Sequence, residues 1–190
     1  MDNLIAKLYQ SPKTVFTIRD IALLWEETNE DHLKSKVTYY VRRGLLLRLA
    51  RGVFAKNADY SSRELATSLY VPSYMSFETV LRDAGVIFQH YDTIFVAGPW
   101  TKELTLGKTS LVFRTMKDSV LFNPTGILSQ DNASIATPER AFLDMIYLFP
   151  RYHFDHLDAL DWKACTRMVG LYGNQQLVKR LASYRKHYAQ

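Results

Sequence analysis

The segment from His32 to Ala58, HLKSKVTYYVRRGLLLRLARGVFAKNA, contains Lys34, Lys36, Arg42, Arg43, Arg48, Arg51 and Lys56 and no acidic residue. Exposed helices ordinarily mix charge signs, so a one-sign stretch of this length points to a polyanionic partner. The plainer reading is a solvated face that merely aids solubility, and the absence of interspersed acids stands against it. At 100° per residue, Leu33, Val37, Tyr40 and Val41 share one side of a helix, the spacing of a face buried in a small core. Ser35, Thr38, Tyr39 and Arg42 then face outward. Asp31 is placed to cap the start, and Gly44 to end the helix in the left-handed conformation.

Leu45–Leu47 and Val53–Ala55 read as two short strands around a turn that carries Arg48, Arg51 and Gly52. Before the basic segment, Thr17 heads a helix with apolar positions at Ile18, Ile21, Ala22 and Trp25, and the polar run Glu26–Asp31 is the connecting turn. Asn3–Tyr9 supplies a first helix. Three helices followed by a basic hairpin make a winged helix-turn-helix, whose last helix enters the major groove while the hairpin tip lies on the backbone or minor groove. In that frame Ser35, Thr38, Tyr39 and Arg42 face base edges. Lys34, Lys36, Arg43, Arg48 and Arg51 bind phosphates and set register. For Tyr39, packing on a neighbouring helix is an equal alternative.

The formal charge of the 190-residue chain is +5, unevenly distributed. Residues 1–58 hold ten Lys and Arg against six Asp and Glu, a balance of +4, whereas residues 59–190 hold fourteen against thirteen. We therefore divide the chain into a DNA-binding domain, 1–58, and a second domain, 59–190. A second basic run, from Lys163 through Arg167, Lys179 and Arg180 to Lys186, either extends the nucleic-acid surface or complements helix C-termini.

In the second domain, Ser61 with Glu64 resembles a capping box opening a helix over Arg63–Tyr70, and Ser76 caps another over 77–84. Strands are expected at 93–97, 103–106, 110–114, 120–122 and 134–136, forming by their turn lengths a small, mostly antiparallel sheet. Thr137-Pro138-Glu139 opens a helix that buries Ala141, Phe142, Met145, Ile146 and Phe149. Two more helices follow, Trp162–Leu171 and Gln175–His187. The fold class is α+β, a winged helix-turn-helix followed by a mixed α/β domain.

The single cysteine, Cys165, and the lack of an apolar leader or a long apolar run lead us to expect a cytoplasmic protein with no membrane association. The ligand types in His153-Phe154-Asp155-His156-Leu157-Asp158 match no zinc spacing. Glu103 with Lys102 or Lys108 is too thin a constellation for a nuclease. No metal, no cofactor and no enzymatic activity are expected.

Three ordered segments carry a family resemblance: RRGLLLRLARGVFAK at Arg42–Lys56, SYMSFETVLRDAGVI at Ser73–Ile87 and IATPERAFLDMIYL at Ile135–Leu148. With them the chain resembles the AbiEi antitoxins of bacterial type IV toxin–antitoxin (abortive infection) systems. That resemblance implies an N-terminal domain binding inverted repeats in its own promoter and a C-terminal domain tied to antitoxin action and cooperative repression. It also implies a nucleotidyltransferase-like toxin encoded nearby, neutralised without a stable complex. We expect the chain to be a monomer in solution or a weak homodimer, cooperative on DNA. The alternative is a protein-interaction module that touches nucleic acid only non-specifically.

Overall fold

The computed structural model describes residues 4–188. Its first part runs α1 (Leu4–Gln10), β1 (Val15–Thr17), α2 (Ile18–Trp25), α3 (Glu30–Arg42), β2 (Leu47–Ala50) and β3 (Val53–Ala55). The three strands form one antiparallel sheet in the order β1-β3-β2. Beneath them lies a core of Leu8, Phe16, Ile21, Trp25, Leu33, Val37, Leu46 and Phe54. The strand β1 was not legible in the sequence, and β2 begins at Leu47 instead of Leu45, after a turn that ends α3.

Thr17 and Asp20 close a reciprocal cap on α2: the Asp20 N–H donates to Thr17 Oγ1 at 3.2 Å, and the Thr17 N–H donates to Asp20 Oδ2 at 2.7 Å. Burial opposes the Asp20 charge, yet the Lys13 ammonium at 2.8 Å and the Thr17 donors hold its carboxyl below the ordinary 3.8. A carboxyl whose pKa is lowered on folding contributes stability above its unfolded pKa, and that contribution is lost as pH falls through the folded value. Asp20→Asn is therefore expected to lose about 1 kcal/mol at neutral pH. The difference from the unsubstituted protein should vanish as acid protonates Asp20, which urea titrations at stepped pH below 3.8 would measure.

The second part begins with α4 (Ser62–Ser68), β4 (Tyr74–Met75), α5 (Phe77–Asp83), β5 (Thr93–Gly98), β6 (Lys102–Leu106) and β7 (Thr109–Thr115). It continues through α6 (Asp118–Leu121), β8 (Ile127–Gln130), β9 (Ala133–Ala136), α7 (Pro138–Leu148), α8 (Trp162–Met168), a 3-10 turn at Val169–Tyr172 and α9 (Gln175–Tyr188). The six strands order as β6-β7-β5-β4-β9-β8. This sheet is mixed: β6 with β7, β5 with β4 and β9 with β8 pair antiparallel, as expected for most of it, while β5 with β7 and β4 with β9 pair in parallel.

The short link after Gly98 looks like a hairpin turn, yet β6 lands beyond β7 instead of beside β5. Crossing one intervening strand spans about 10 Å, which a three-residue link can reach when extended. Residues 120–122, expected as a strand, lie in and just after the helix α6. The strands β4 and β8 were missed.

Helix α7 is the axis of this part, with Ala141, Phe142, Leu143, Met145 and Ile146 excluded from solvent. Phe149, expected inside, is 39% exposed and lies 4.7 Å beneath the Arg114 guanidinium. The surprise is Arg140 and Asp144, both fully buried on the same helix. Arg140 donates to Tyr74 Oη (2.8 Å), Val120 O (2.7 Å) and Thr125 O (2.8 Å), while Asp144 accepts from Ser76 Oγ (2.8 Å) and Tyr172 Oη (2.6 Å). This network clamps β4, α6 and the 3-10 turn onto α7. Ser76 precedes α5 but makes no side-chain cap to it, contrary to expectation, because its hydroxyl is spent on Asp144.

A third apolar cluster joins the two parts, with Val15, Val53 and Ala55 from the first meeting Tyr60 and Leu65 from the second. Glu64 works at the same seam. Its side chain does not return to Ser61 to complete a capping box but accepts from Thr14 N (2.8 Å) and Thr14 Oγ1 (2.6 Å). Ser61 still caps α4, accepting from Glu64 N at 3.2 Å. Among the described residues, no helix is long and apolar enough to cross a membrane.

Candidate nucleic-acid interface

Helix α3 starts at Glu30, capped by Asn29, whose side-chain oxygen accepts from the N–H groups of Asp31 and His32 at 3.0 Å each. Asp31, expected as the cap, is inside the first turn, where its charge suits the positive end of the helix dipole. The connecting turn is shorter than expected because Glu26 takes the left-handed conformation, φ 55°, directly after α2. At the far end Gly44 has φ 68°, and the Leu45 N–H reaches back to Tyr40 O at 3.0 Å. Such a stop favours glycine because a Cβ would be strained there.

Leu33 and Val37 face the core and Tyr40 stacks on Trp25 with ring centroids 5.5 Å apart. That leaves Lys34, Ser35, Thr38, Tyr39, Arg42 and Arg43 exposed along one side of α3. Tyr39 does not insert into a neighbouring helix. It is 51% exposed, edge-on to Tyr40, with the Arg43 guanidinium 5.1 Å from its ring centroid. On the β2–β3 hairpin, Arg48 and Arg51 are also exposed, and the Arg48 guanidinium lies 6.0 Å from the Phe54 ring. The Gly52 carbonyl accepts from Ile18 N at 2.8 Å, which pins the hairpin tip to the start of α2.

The basic segment is less isolated in space than in sequence. Lys36 is drawn to Glu27 at 2.5 Å, and that contact holds the Glu27 carboxyl below its ordinary range. Lys34 lies 3.2 Å from Glu30 and 3.7 Å from Asp31. Lys56 turns inward to the backbone carbonyls of Tyr9 and Ser11. Acids that precede His32 in the chain are folded back against the lysines by the helical repeat and by the turn. Among the described residues Arg42, Arg43, Arg48 and Arg51 have no carboxylate within ion-pair distance, so the uncompensated charge of this face is all guanidinium. Arg19, exposed beside Ile18 in the first turn of α2, adds a cation from outside the basic segment His32–Ala58.

Between α3 and the hairpin runs a groove of about 330 Å³, bordered by Arg42, Arg48 and Arg51 and floored by Val37, Val41, Ile18 and Phe54. Periodicity alone could not reveal it, since Ile18 and Phe54 come from elements separated by α3.

Elsewhere, the second basic run divides. Arg180 donates to Ile146 O at 2.9 Å and Tyr147 O at 3.3 Å, the last carbonyls of α7, and Arg167 lies 3.8 Å from Asp161. In the His153–Asp158 stretch, Asp155 accepts from Phe88 N at 2.8 Å, a backbone role. Lys102 reaches the Tyr70 hydroxyl at 3.3 Å. Burial pushes the Cys165 thiol up to about 12, so it stays protonated and inert at neutral pH.

No protein-family model and no curated protein matches the chain. Among solved structures, it aligns with the crystal structure of the RV2827C protein from Mycobacterium tuberculosis. The alignment spans 95% of this chain and 70% of that one, at 16% identity and a TM-score of 0.47.

Proposed function

We propose that the chain is a sequence-specific double-stranded DNA-binding repressor whose first part, residues 1–58, works as a winged helix-turn-helix. The element order α1-β1-α2-α3-β2-β3, with β1 closing the small sheet, supports this reading. The observation that carries it is the face shared by α3 and the hairpin, where Arg42, Arg43, Arg48 and Arg51 stand exposed beside Ser35, Thr38 and Tyr39, without carboxylate partners among the described residues. Short polar side chains and a guanidinium can read donors and acceptors in the major groove, while the flanking cations bind phosphates. Lys34 and Lys36 are weaker phosphate ligands than Arg43, Arg48 and Arg51, because each already holds an acid.

In the wider reading, the protein is a cytoplasmic antitoxin of the AbiEi kind, autoregulating its own promoter. The cognate toxin would be of the nucleotidyltransferase kind, and residues 59–190 would serve antitoxin action. Nuclease footprinting on the DNA upstream of its own gene tests the repressor role. Two protected half-sites related by an inverted repeat are the expected result; uniform weak protection would remove sequence-specific binding.

A second reading rests on the side chains of Val71, Phe122 and Leu128, which are 84%, 67% and 56% exposed. The three line one surface depression, and a shared exposed apolar patch favours a protein partner for residues 59–190. Co-purification with a neighbouring gene product, without preference for the upstream DNA, would favour it over repression.

A further inference from the structure

Base and phosphate contacts explain the arginines on the rim of the α3–hairpin groove but not its floor. Val37 and Phe54 are nearly excluded from solvent at its base, and Ile18 and Val41 are half-buried along its sides. Phosphate oxygens pair with the cations of the rim and make no apolar contact with such a floor. The cavity, about 330 Å³, falls at the small end of the range of about 300–1,000 Å³ typical of small-molecule sites.

Its width is set by the backbone bond from Ile18 N to Gly52 O and by the pairing of Arg48 with Phe54 across the hairpin. The groove is thus built before any ligand arrives. Three guanidiniums at its mouth, with no carboxylate partner among the described residues, offer planar, paired donors that match a carboxylate in bidentate geometry.

We infer that this groove is a binding site for a small amphipathic anion, one carboxylate on a hydrocarbon body, whose occupancy excludes DNA from the same face. The body lies on Val37, Val41, Ile18 and Phe54, and the carboxylate meets Arg48 and Arg51 at the hairpin. Only the exclusion of DNA rests on the repressor reading; the site itself does not. A bound anion neutralises the cations that would otherwise release counterions from phosphates, and it fills the space between helix and hairpin. The protein would then be a repressor released by a carboxylic acid with a hydrocarbon body.

The test uses the full chain and decanoate, titrated calorimetrically at constant ionic strength. Decyltrimethylammonium has the same kind of body with the opposite charge, and acetate has the charge without the body. One decanoate per chain is expected, with both controls at least about tenfold weaker. Arg48→Ala combined with Arg51→Ala, both exposed positions, should weaken decanoate by about tenfold or more. Val41→Trp should fill the groove and abolish binding, with the melting curve showing that the variant is folded. Should that variant fail to fold, the arginine pair decides.

Equal affinity for decanoate and decyltrimethylammonium, or no loss in the arginine double variant, overturns the site. In parallel, fluorescence anisotropy follows a labelled duplex from the upstream region as decanoate is added. Release that tracks groove occupancy supports exclusion, and simultaneous binding of both ligands overturns it. A chain that takes up decanoate but no duplex keeps the site and loses the repressor reading; one that binds the duplex but not decanoate does the reverse.

Discussion

Asp144→Ala is expected to lower the unfolding free energy by about 3–5 kcal/mol, the typical loss when one partner of a buried ion pair is removed. Arg140 has no solvent exposure, and its Nε lies 3.3 Å from Asp144 Oδ1. Burial works against the guanidinium charge, but the Asp144 carboxylate overrides it and raises the Arg140 pKa, so the arginine stays charged in the fold. Without Asp144 that charge keeps only neutral partners, the carbonyls of Val120 and Thr125 and the Tyr74 hydroxyl. The hydroxyls of Ser76 and Tyr172 lose their acceptor at the same time. Burial and the neighbouring Asp144 charge raise the pKa of Tyr172, so its hydroxyl remains a donor throughout the physiological range.

Asp144→Asn keeps the shape and one acceptor, and should fall between the alanine variant and the unsubstituted protein. Urea unfolding followed by circular dichroism measures both. A loss below about 1 kcal/mol for Asp144→Ala would mean that water or a shifted side chain takes over the role, and the clamp would not be what holds β4 and α6 to α7.

Arg42→Glu is expected to weaken binding to the specific operator by about 1–3 kcal/mol and to relax sequence preference, because a guanidinium at a base edge carries discrimination as well as charge. Arg51→Ala, at the hairpin tip, should instead weaken specific and random DNA alike and reduce the salt slope by about one unit. Lys34 separates the structural from the sequence-based expectation. Read from sequence, Lys34→Ala should match Arg51→Ala; with Glu30 at 3.2 Å and Asp31 at 3.7 Å already balancing the ammonium, its slope change should be clearly smaller. Gel shifts over a salt series on specific and random duplexes distinguish these outcomes. Equal losses on both duplexes for Arg42→Glu would remove that residue from base reading.

These contrasts show where sequence reasoning reaches and where it stops. The α3 face was legible because helical periodicity is local: Leu33 and Val37 had to turn inward, and that alone turns Ser35, Thr38 and Arg42 outward. The cap on α2 and the start of α7 were legible for the same reason, since Thr17-Asp20 and Thr137-Pro138 satisfy backbone donors within one turn. The sheet order was not. Whether β6 lies beside β5 or beyond β7 depends on which buried faces meet, and both arrangements suit the same short link.

By itself, then, the sequence determined the longer helices and the clustering of arginines on one side of α3 and its hairpin, because these depend on residues a few positions apart; α6 and the length of the turn before α3 were not among them. Only the tertiary structure decided which cations remain unpaired, that Ile18 and Phe54 floor a groove beside them, and that Arg140 and Asp144 face inward. Those outcomes depend on charges and surfaces brought together from distant segments, where the energy of desolvating a group is set by neighbours that no local spacing encodes.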